Sequence, residues 1–281
     1  MTVINSPFRY PGGKFYARKL ILQHIPPHSY YVEPFAGGAS IFFAKTKVPM
    51  NWLNDADPEL INVYLHIRDH VQALIDFLDG LPATKELHSY YKNEFKPQNA
   101  LERAGRWYYL NRTSYSGIMK DVNCYWGYGP EYSMRPENWP DNLRRTSKKL
   151  ADVRITNWDF EQVLENAVDN SFLFVDPPYF NADQDKFYNI SFSKEEHFRL
   201  SSVLERHSHR LNYLITYDNS REIRDLYAWA TDMYDREWNY TINRTDDQKN
   251  GTSQKGSRYK GKEVFIVNYQ YAVPEQLSLL G

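Results

Sequence analysis

Phe172-Leu173-Phe174-Val175-Asp176-Pro177-Pro178-Tyr179 is a run of four apolar residues that stops at an acid, two prolines and a tyrosine. A short apolar run bounded by turn residues reads as a buried strand. It ends where the prolines begin, because each proline lacks an N–H and fixes φ. Five more runs share this character: Tyr30 to Glu33, Trp52 to Asn54, Val153 to Thr156, Tyr213 to Thr216 and Val264 to Val267. Helical patterns lie between most of them, at Ala39 to Ala44, Glu59 to Leu78, Phe160 to Glu165, Lys194 to Arg206 and Ser220 to Ala230. Ser193 and Glu196 have capping-box spacing at the start of the fourth helix. Strands alternating with helices predict an α/β fold with a mainly parallel sheet.

Residues 62–150 break this rhythm. They hold Lys85, Tyr90, Tyr91 and Trp107 to Tyr109, then a Gly-, Asn- and Pro-rich stretch from Asn111 to Pro140. The segment reads as an inserted, largely helical domain with a long irregular loop, and loops of that length are commonly functional. A second polar loop, Asp246 to Lys262, contains Gly251, Gly256 and Gly261, with Tyr259 as its apolar anchor. Its composition predicts that it orders when a partner binds. Net charge is −1 over the chain, yet Lys85 to Lys149 holds 12 basic and 7 acidic residues, and Asp246 to Lys262 holds 5 and 2. Two basic segments in a near-neutral chain fit a polyanionic partner. Tyrosines number 23, material for base stacking as well as for cores.

The chain has one cysteine, Cys124, which excludes an internal disulfide and fits a reducing compartment. The eight histidines are scattered, so no metal is expected. Nothing approaches a membrane span of roughly 20 apolar residues, and the start of the chain lacks the pattern of a signal peptide. A cytoplasmic protein is expected.

Three stretches carry chemistry. By average usage, Asp-Pro-Pro-Tyr should occur in a chain of this length about once in a thousand cases, and here it falls at a strand end, where open α/β sheets bind ligands. An exocyclic amine on a purine is a poor nucleophile, because its lone pair is delocalised into the ring. Acceptors on both N–H groups favour a tetrahedral nitrogen; Asp176 can supply one and the Pro177 carbonyl another. Tyr179 offers a face for an extruded base, worth roughly 1–3 kcal/mol, against a flipping cost of a few kcal/mol. Next, Tyr31-Val32-Glu33-Pro34-Phe35-Ala36-Gly37-Gly38-Ala39-Ser40 reads as strand, turn and helix start, with glycines that let backbone approach a ligand. Asp55 ends the following strand and reads either as a ribose-binding carboxylate or as a helix N-cap. Last, Phe8-Arg9-Tyr10-Pro11-Gly12-Gly13-Lys14 places Tyr10 and Lys14 around a tight turn.

In content and order these blocks resemble the Dam-type family of DNA adenine methyltransferases. The likeness extends through Asn157-Trp158-Asp159-Phe160 and Phe192 to Phe198, and to Arg258 and the final strand Glu263 to Tyr269. The resemblance implies a Rossmann-like sheet that binds S-adenosylmethionine (SAM), with helices on both faces. Residues 1–61 and 151–281 would form the catalytic domain and 62–150 a mainly helical target-recognition insert. It implies that Tyr10 and Lys14 help hold SAM, with Lys14 near its carboxylate. Phe35, Ala36, Gly37 and Gly38 would line the methionine part, and Asp55 would take the ribose hydroxyls. Asp159 would bind the adenine amine of SAM with Phe160 on its ring. Asp176, Pro177 and Tyr179 would hold the target adenine, with Asp176 also bordering the SAM site. Arg112, Ser114, Tyr115, Arg135, Lys255 and Arg258 are the candidates for DNA contact; the stretch from Cys124 to Met134 departs from GATC-specific members.

The activity this implies is site-specific transfer of the SAM methyl group to N6 of a flipped-out adenine in double-stranded DNA, without a metal. A cognate restriction endonuclease would share the site without forming a stable complex. The host would be a bacterium, or the cell infected by a phage. Alternatives are N4-cytosine methylation, whose enzymes more often carry serine where Asp176 stands, RNA methylation, or a silent DNA-binding protein on the same scaffold. A nicotinamide-dependent oxidoreductase would need the third glycine that the turn lacks.

Overall fold

The computed structural model describes residues 3–180, 190, 192–240 and 259–270. Its seven strands form one sheet: β1 (Tyr30–Glu33), β2 (Met50–Asn54), β3 (Arg154–Thr156), β4 (Phe172–Val175), β5 (Asn212–Asp218), β6 (Asp232–Tyr240) and β7 (Tyr259–Val267). The order across the sheet is β3-β2-β1-β4-β5-β7-β6. The first five strands in that order pair parallel, while β7 runs antiparallel to both β5 and β6. All six expected strands are present. The seventh, β6, has no apolar run in its sequence, Asp232-Met233-Tyr234-Asp235-Arg236-Glu237-Trp238-Asn239-Tyr240. It lies at the sheet edge, where a strand need bury only part of itself.

The apolar run that decides the fold is the central strand, with all four residues buried. Tyr31 and Val32 of β1 pair with Phe172 and Leu173. Strand order reverses between these two neighbours, because β1, β2 and β3 build outward one way and β4 and β5 the other. A switch point of this kind opens a crevice at the carboxyl ends of the strands. The turns after β1 and β4, the two sequence motifs, both open into it.

Helices cover both faces. On one face α8 (Phe160–Asn166), α9 (Lys194–His207) and α10 (Arg221–Leu226) bury Val163, Leu200, Leu204 and Ile223 against Val32, Leu173, Val175 and Ile215. On the other face lie α1 (Arg18–Gln23), α2 (Ser40–Ala44) and α3 (Pro58–Asp69). Beyond them come α4 (Val71–Leu78), α5 (Lys85–Asn93), α6 (Ala100–Thr113) and α7 (Trp139–Leu150). One buried cluster runs from Tyr31, Leu53 and Phe172 through Leu60 and Tyr64 to Trp107, Tyr108 and Trp139. The helical insert therefore shares its core with the sheet. A boundary at residue 62 falls inside α3, which starts four residues earlier because Asp57 accepts from the N–H groups of Glu59 and Leu60 and Pro58 presets φ. The helix expected from Glu59 to Leu78 breaks at His70, whose φ of −135° leaves the helical region.

Candidate active site

Strand β4 delivers Asp176 to the carboxyl edge of the sheet. The Lys14 ammonium lies 2.7 Å from its Oδ1 and 2.9 Å from its Oδ2. Thr216, near the end of β5, donates to Oδ1 at 2.7 Å. The lysine side chain is 3% exposed and the aspartate 18%, so the pair opens to the crevice on the carboxylate side. Lys14 also donates to the Gly12 carbonyl at 3.1 Å and sits 4.9 Å from the centre of the Tyr179 ring. Tyr179 packs beside Tyr217 of β5, whose hydroxyl bonds Nδ1 of the buried His197 at 2.7 Å. Burial pushes that imidazole down to about 4, so it is neutral at physiological pH.

The insert holds the arm that carries Lys14. Asn111, fully buried on α6, accepts from the Arg9 N–H at 3.1 Å and donates to the Arg9 carbonyl at 2.7 Å. Arg9 donates in turn to the Ser114 carbonyl at 3.3 Å. Gly117 has φ +70°, and a Cβ there would stand 2.2 Å from the Arg9 carbonyl oxygen. Only glycine suits that backbone and that approach.

The second half of the crevice starts at the end of β1. Gly37 has φ +47°, and an added Cβ would meet the Tyr10 ring at 2.8 Å; at Gly38 it would meet Tyr10 Cβ at 3.0 Å. The glycines are thus fixed by the tyrosine packed on them. The Gly37 N–H donates to Asp55 Oδ2 at 2.8 Å, its carbonyl accepts from the Tyr64 hydroxyl at 2.8 Å, and the Asp57 N–H donates to Asp55 Oδ1 at 3.0 Å. The helix cap is therefore Asp57, and Asp55 braces the turn. Burial pushes the Asp55 carboxyl up to about 6. Ala36 is buried, its N–H on the Asn54 carbonyl at 2.8 Å. Phe35, Phe160 and Phe192 form a three-ring cluster with centroids 5.7, 5.6 and 5.9 Å apart.

Residues 10–242 match the family model described as D12 class N6 adenine-specific DNA methyltransferase. The chain belongs to that family. It is 31% identical to the type II methyltransferase M.CviBI of Paramecium bursaria Chlorella virus NC1A, over 87% of this chain and 95% of that protein. Similarity extends to the type II methyltransferase M1.LlaDCHI of Lactococcus lactis subsp. cremoris (24%, over 94% and 95%) and to the DNA adenine methylase of Salmonella typhi (26%, over 79% and 84%). The sheet is accordingly a methyltransferase sheet of Rossmann type, DNA is the substrate and SAM the methyl donor. The residues present fit that donor: a half-buried carboxylate at a strand tip, a turn with close backbone approach and an aromatic wall are what a ribose, an amino-acid tail and a purine require.

Two residues that the resemblance places at SAM have partners within the chain. The ammonium of Lys14, expected near the SAM carboxylate, is bound to Asp176. Asp159 was expected on the SAM adenine amine. It accepts from the Glu161 N–H at 2.9 Å, capping α8, and pairs with both terminal nitrogens of Arg199 at 2.8 and 2.7 Å. That guanidinium lies 4.0 Å from the Phe160 ring centre, so the edge of the aromatic wall is ion-paired.

Among the DNA-contact candidates, Arg112 and Ser114 are buried. Arg112 is 6% exposed, follows buried Tyr108 by one helical turn and donates to the Pro7 carbonyl at 3.3 Å. Ser114 is fully buried with its hydroxyl 2.9 Å from Cys124 Sγ. Both serve packing between insert and arm. Tyr115 and Arg135 are exposed, as are Tyr125 and Tyr132 on the same irregular stretch, which sequence reading passed over. Lys255 and Arg258 lie outside the described residues, as does most of the basic loop. The contacts of Thr216 with Asp176 and of Asn111 with Arg9 were not legible in the sequence. No helix of the described residues is long and apolar enough to cross a membrane.

Proposed function

We propose that this methyltransferase moves the SAM methyl group directly to N6 of an adenine flipped out of double-stranded DNA, with Asp176 and the Pro177 carbonyl accepting from the amine. The observation that supports it most is the Asp176 carboxylate at the tip of the central strand, oriented by Lys14 and Thr216 and partly open to the crevice. A carboxylate has about four acceptor positions, so it can take an amine N–H beside those two donors. Tyr179 would bear on the flipped base, and exposed Tyr115 and Arg135 on the duplex. Lys255 and Arg258 are proposed as further contacts. Asp55, Tyr10 and the Gly37–Gly38 turn would hold the ribose and methionine parts of SAM, with Phe35 and Phe160 near its adenine. SAM carries its methyl on a sulfonium and is already activated, so the protein's task is orientation and electrostatics, without metal or covalent intermediate. The type II relatives support a modification role beside a restriction endonuclease that shares the site. The cytoplasm is the proposed compartment.

The test is to express the protein in a methylation-free host and map modified bases by single-molecule sequencing. N6-methyladenine in one short context is expected. Asp176→Ala should retain SAM binding by calorimetry and lose at least about a thousandfold in turnover. Turnover like the wild type in that variant refutes the role given to Asp176.

A further inference from the structure

Pairing of β4 with β5 ends where Val175 stands opposite Ile215, so Asp176-Pro177-Pro178-Tyr179-Phe180 runs on past the sheet ladder. Pro177 and Pro178 have no N–H with which to anchor it. Its two ends are met by one strand. Thr216 of β5 donates to Asp176 Oδ1 at 2.7 Å, and Asp218, two residues further on, accepts from the Phe180 N–H on its own Oδ1 at 3.1 Å. Residues two apart on a strand present their side chains to the same face. A single edge of β5 therefore spans the motif, from its first residue to the one after its last.

The tip of β5 is itself held. Asp218 pairs in antiparallel register with Glu263 of β7, and its carbonyl accepts from the Ser220 N–H at 2.9 Å as the chain turns into α10. There the Ser220 hydroxyl accepts from the Ile223 N–H at 3.4 Å. The rings that follow the prolines pack beside the same strand: Tyr179 lies 6.1 Å from Tyr217, centre to centre, and Phe180 lies 5.1 Å from buried His197, which bonds Tyr217. Between the two anchors stand the Pro177 carbonyl and the Tyr179 ring. We propose that Asp218 is a positioning residue for base capture: by holding the Phe180 N–H it fixes the exit of the Asp-Pro-Pro-Tyr segment, and with it the Pro177 carbonyl and the Tyr179 ring relative to Asp176. It acts through those groups and not on the base. The inference rests on the reading of Asp176 and Pro177 as acceptors of the target amine.

Methyl transfer to cognate duplex and calorimetry with SAM test it. Asp218→Ala is expected to lose about ten- to a hundredfold in kcat, the worth of one hydrogen bond to a charged group, with SAM affinity unchanged. Asp218→Asn keeps an accepting oxygen and should lie within about fivefold of the wild type. Because Asp218 works through Tyr179, Asp218→Ala and Tyr179→Ala should be non-additive, the double variant falling short of the product of the single losses in kcat/KM by at least about threefold. Wild-type turnover in Asp218→Ala, losses that simply multiply, or an Asp218→Asn no better than Asp218→Ala overturns the proposal. Should Asp218→Ala fail to fold, hydrogen exchange on the wild type decides: the Phe180 amide should be protected at least about tenfold relative to an exposed chain, and free exchange there overturns the proposal. Turnover by Asp176→Ala would instead defeat the underlying reading, whereas an inactive Asp176→Ala beside a fully active Asp218→Ala defeats this inference alone.

Discussion

The two halves of the crevice are held together by different physics. On the donor side, the turn after β1 is fixed by neutral contacts and by hydrogen bonds from backbone N–H groups to Asp55, 18 residues from Gly37. On the acceptor side, Lys14 and Asp176 are 162 residues apart and meet as a shielded ion pair, with Thr216 brought in from β5. The first half behaves as a mould that must fit one molecule. The second is a shielded ion pair with one more donor on its carboxylate.

The contrast is most severely tested where one element serves both halves. The arm carrying Tyr10 and Lys14 is clamped at Gly117, and Gly117→Ala would drive a methyl group into the Arg9 carbonyl at a positive φ. Turnover should fall by about a hundredfold, since displacements on the order of 1 Å cost that much, and SAM affinity should fall with it. Steady-state kinetics and calorimetry on the folded variant check both, and wild-type values would remove the arm from the site. Thr216→Val then isolates the acceptor half. It keeps the buried shape and deletes the donor to Asp176 Oδ1. A loss of about tenfold in kcat is expected from one hydrogen bond to a charged group, with SAM affinity unchanged; a KM effect on SAM would contradict the division. The smallest effect belongs to the donor half and to pH. Asp55 is raised from 3.8 to about 6 by burial. The folded protein therefore takes up a proton as pH falls through 6, well before the unfolded chain does, so Asp55 contributes more to stability below pH 6 than above it. On the reading proposed for Asp55, the same proton removes an acceptor for the ribose hydroxyls. SAM should bind about fourfold more weakly at pH 5.5 than at pH 7.5, a dependence that Asp55→Asn should flatten. Calorimetric titration across that range measures it.

The same division explains what the sequence made legible. Strands were read correctly where burial on both faces forces a continuous apolar run, as in Phe172 to Val175. Strand β6 was missed because an edge strand escapes that demand. The donor turn and Asp-Pro-Pro-Tyr stand out because their residues are contiguous. The lysine's partner does not, since nothing local in Gly12-Gly13-Lys14 says that it will meet Asp176. Arg112 lies in a basic segment and looked like surface, yet Tyr108 one turn before it put that face of α6 inside. Between Asp55 and Asp57, only the position of Pro58 hinted at which would cap.

The reversed direction of β7 governs how the chain is threaded at the carboxyl edge of β5. Strand β6 travels towards that edge and β7 returns from it, with Tyr240 opposite Tyr259. Beyond Arg236, level with Asp218 at the tip of β5, the ribbon continues through four more residues of β6, or ~13 Å at the rise of an extended chain. Whatever is spliced between Tyr240 and Tyr259 must leave and re-enter at the same outward point. Its length can then change without altering the order of a single strand.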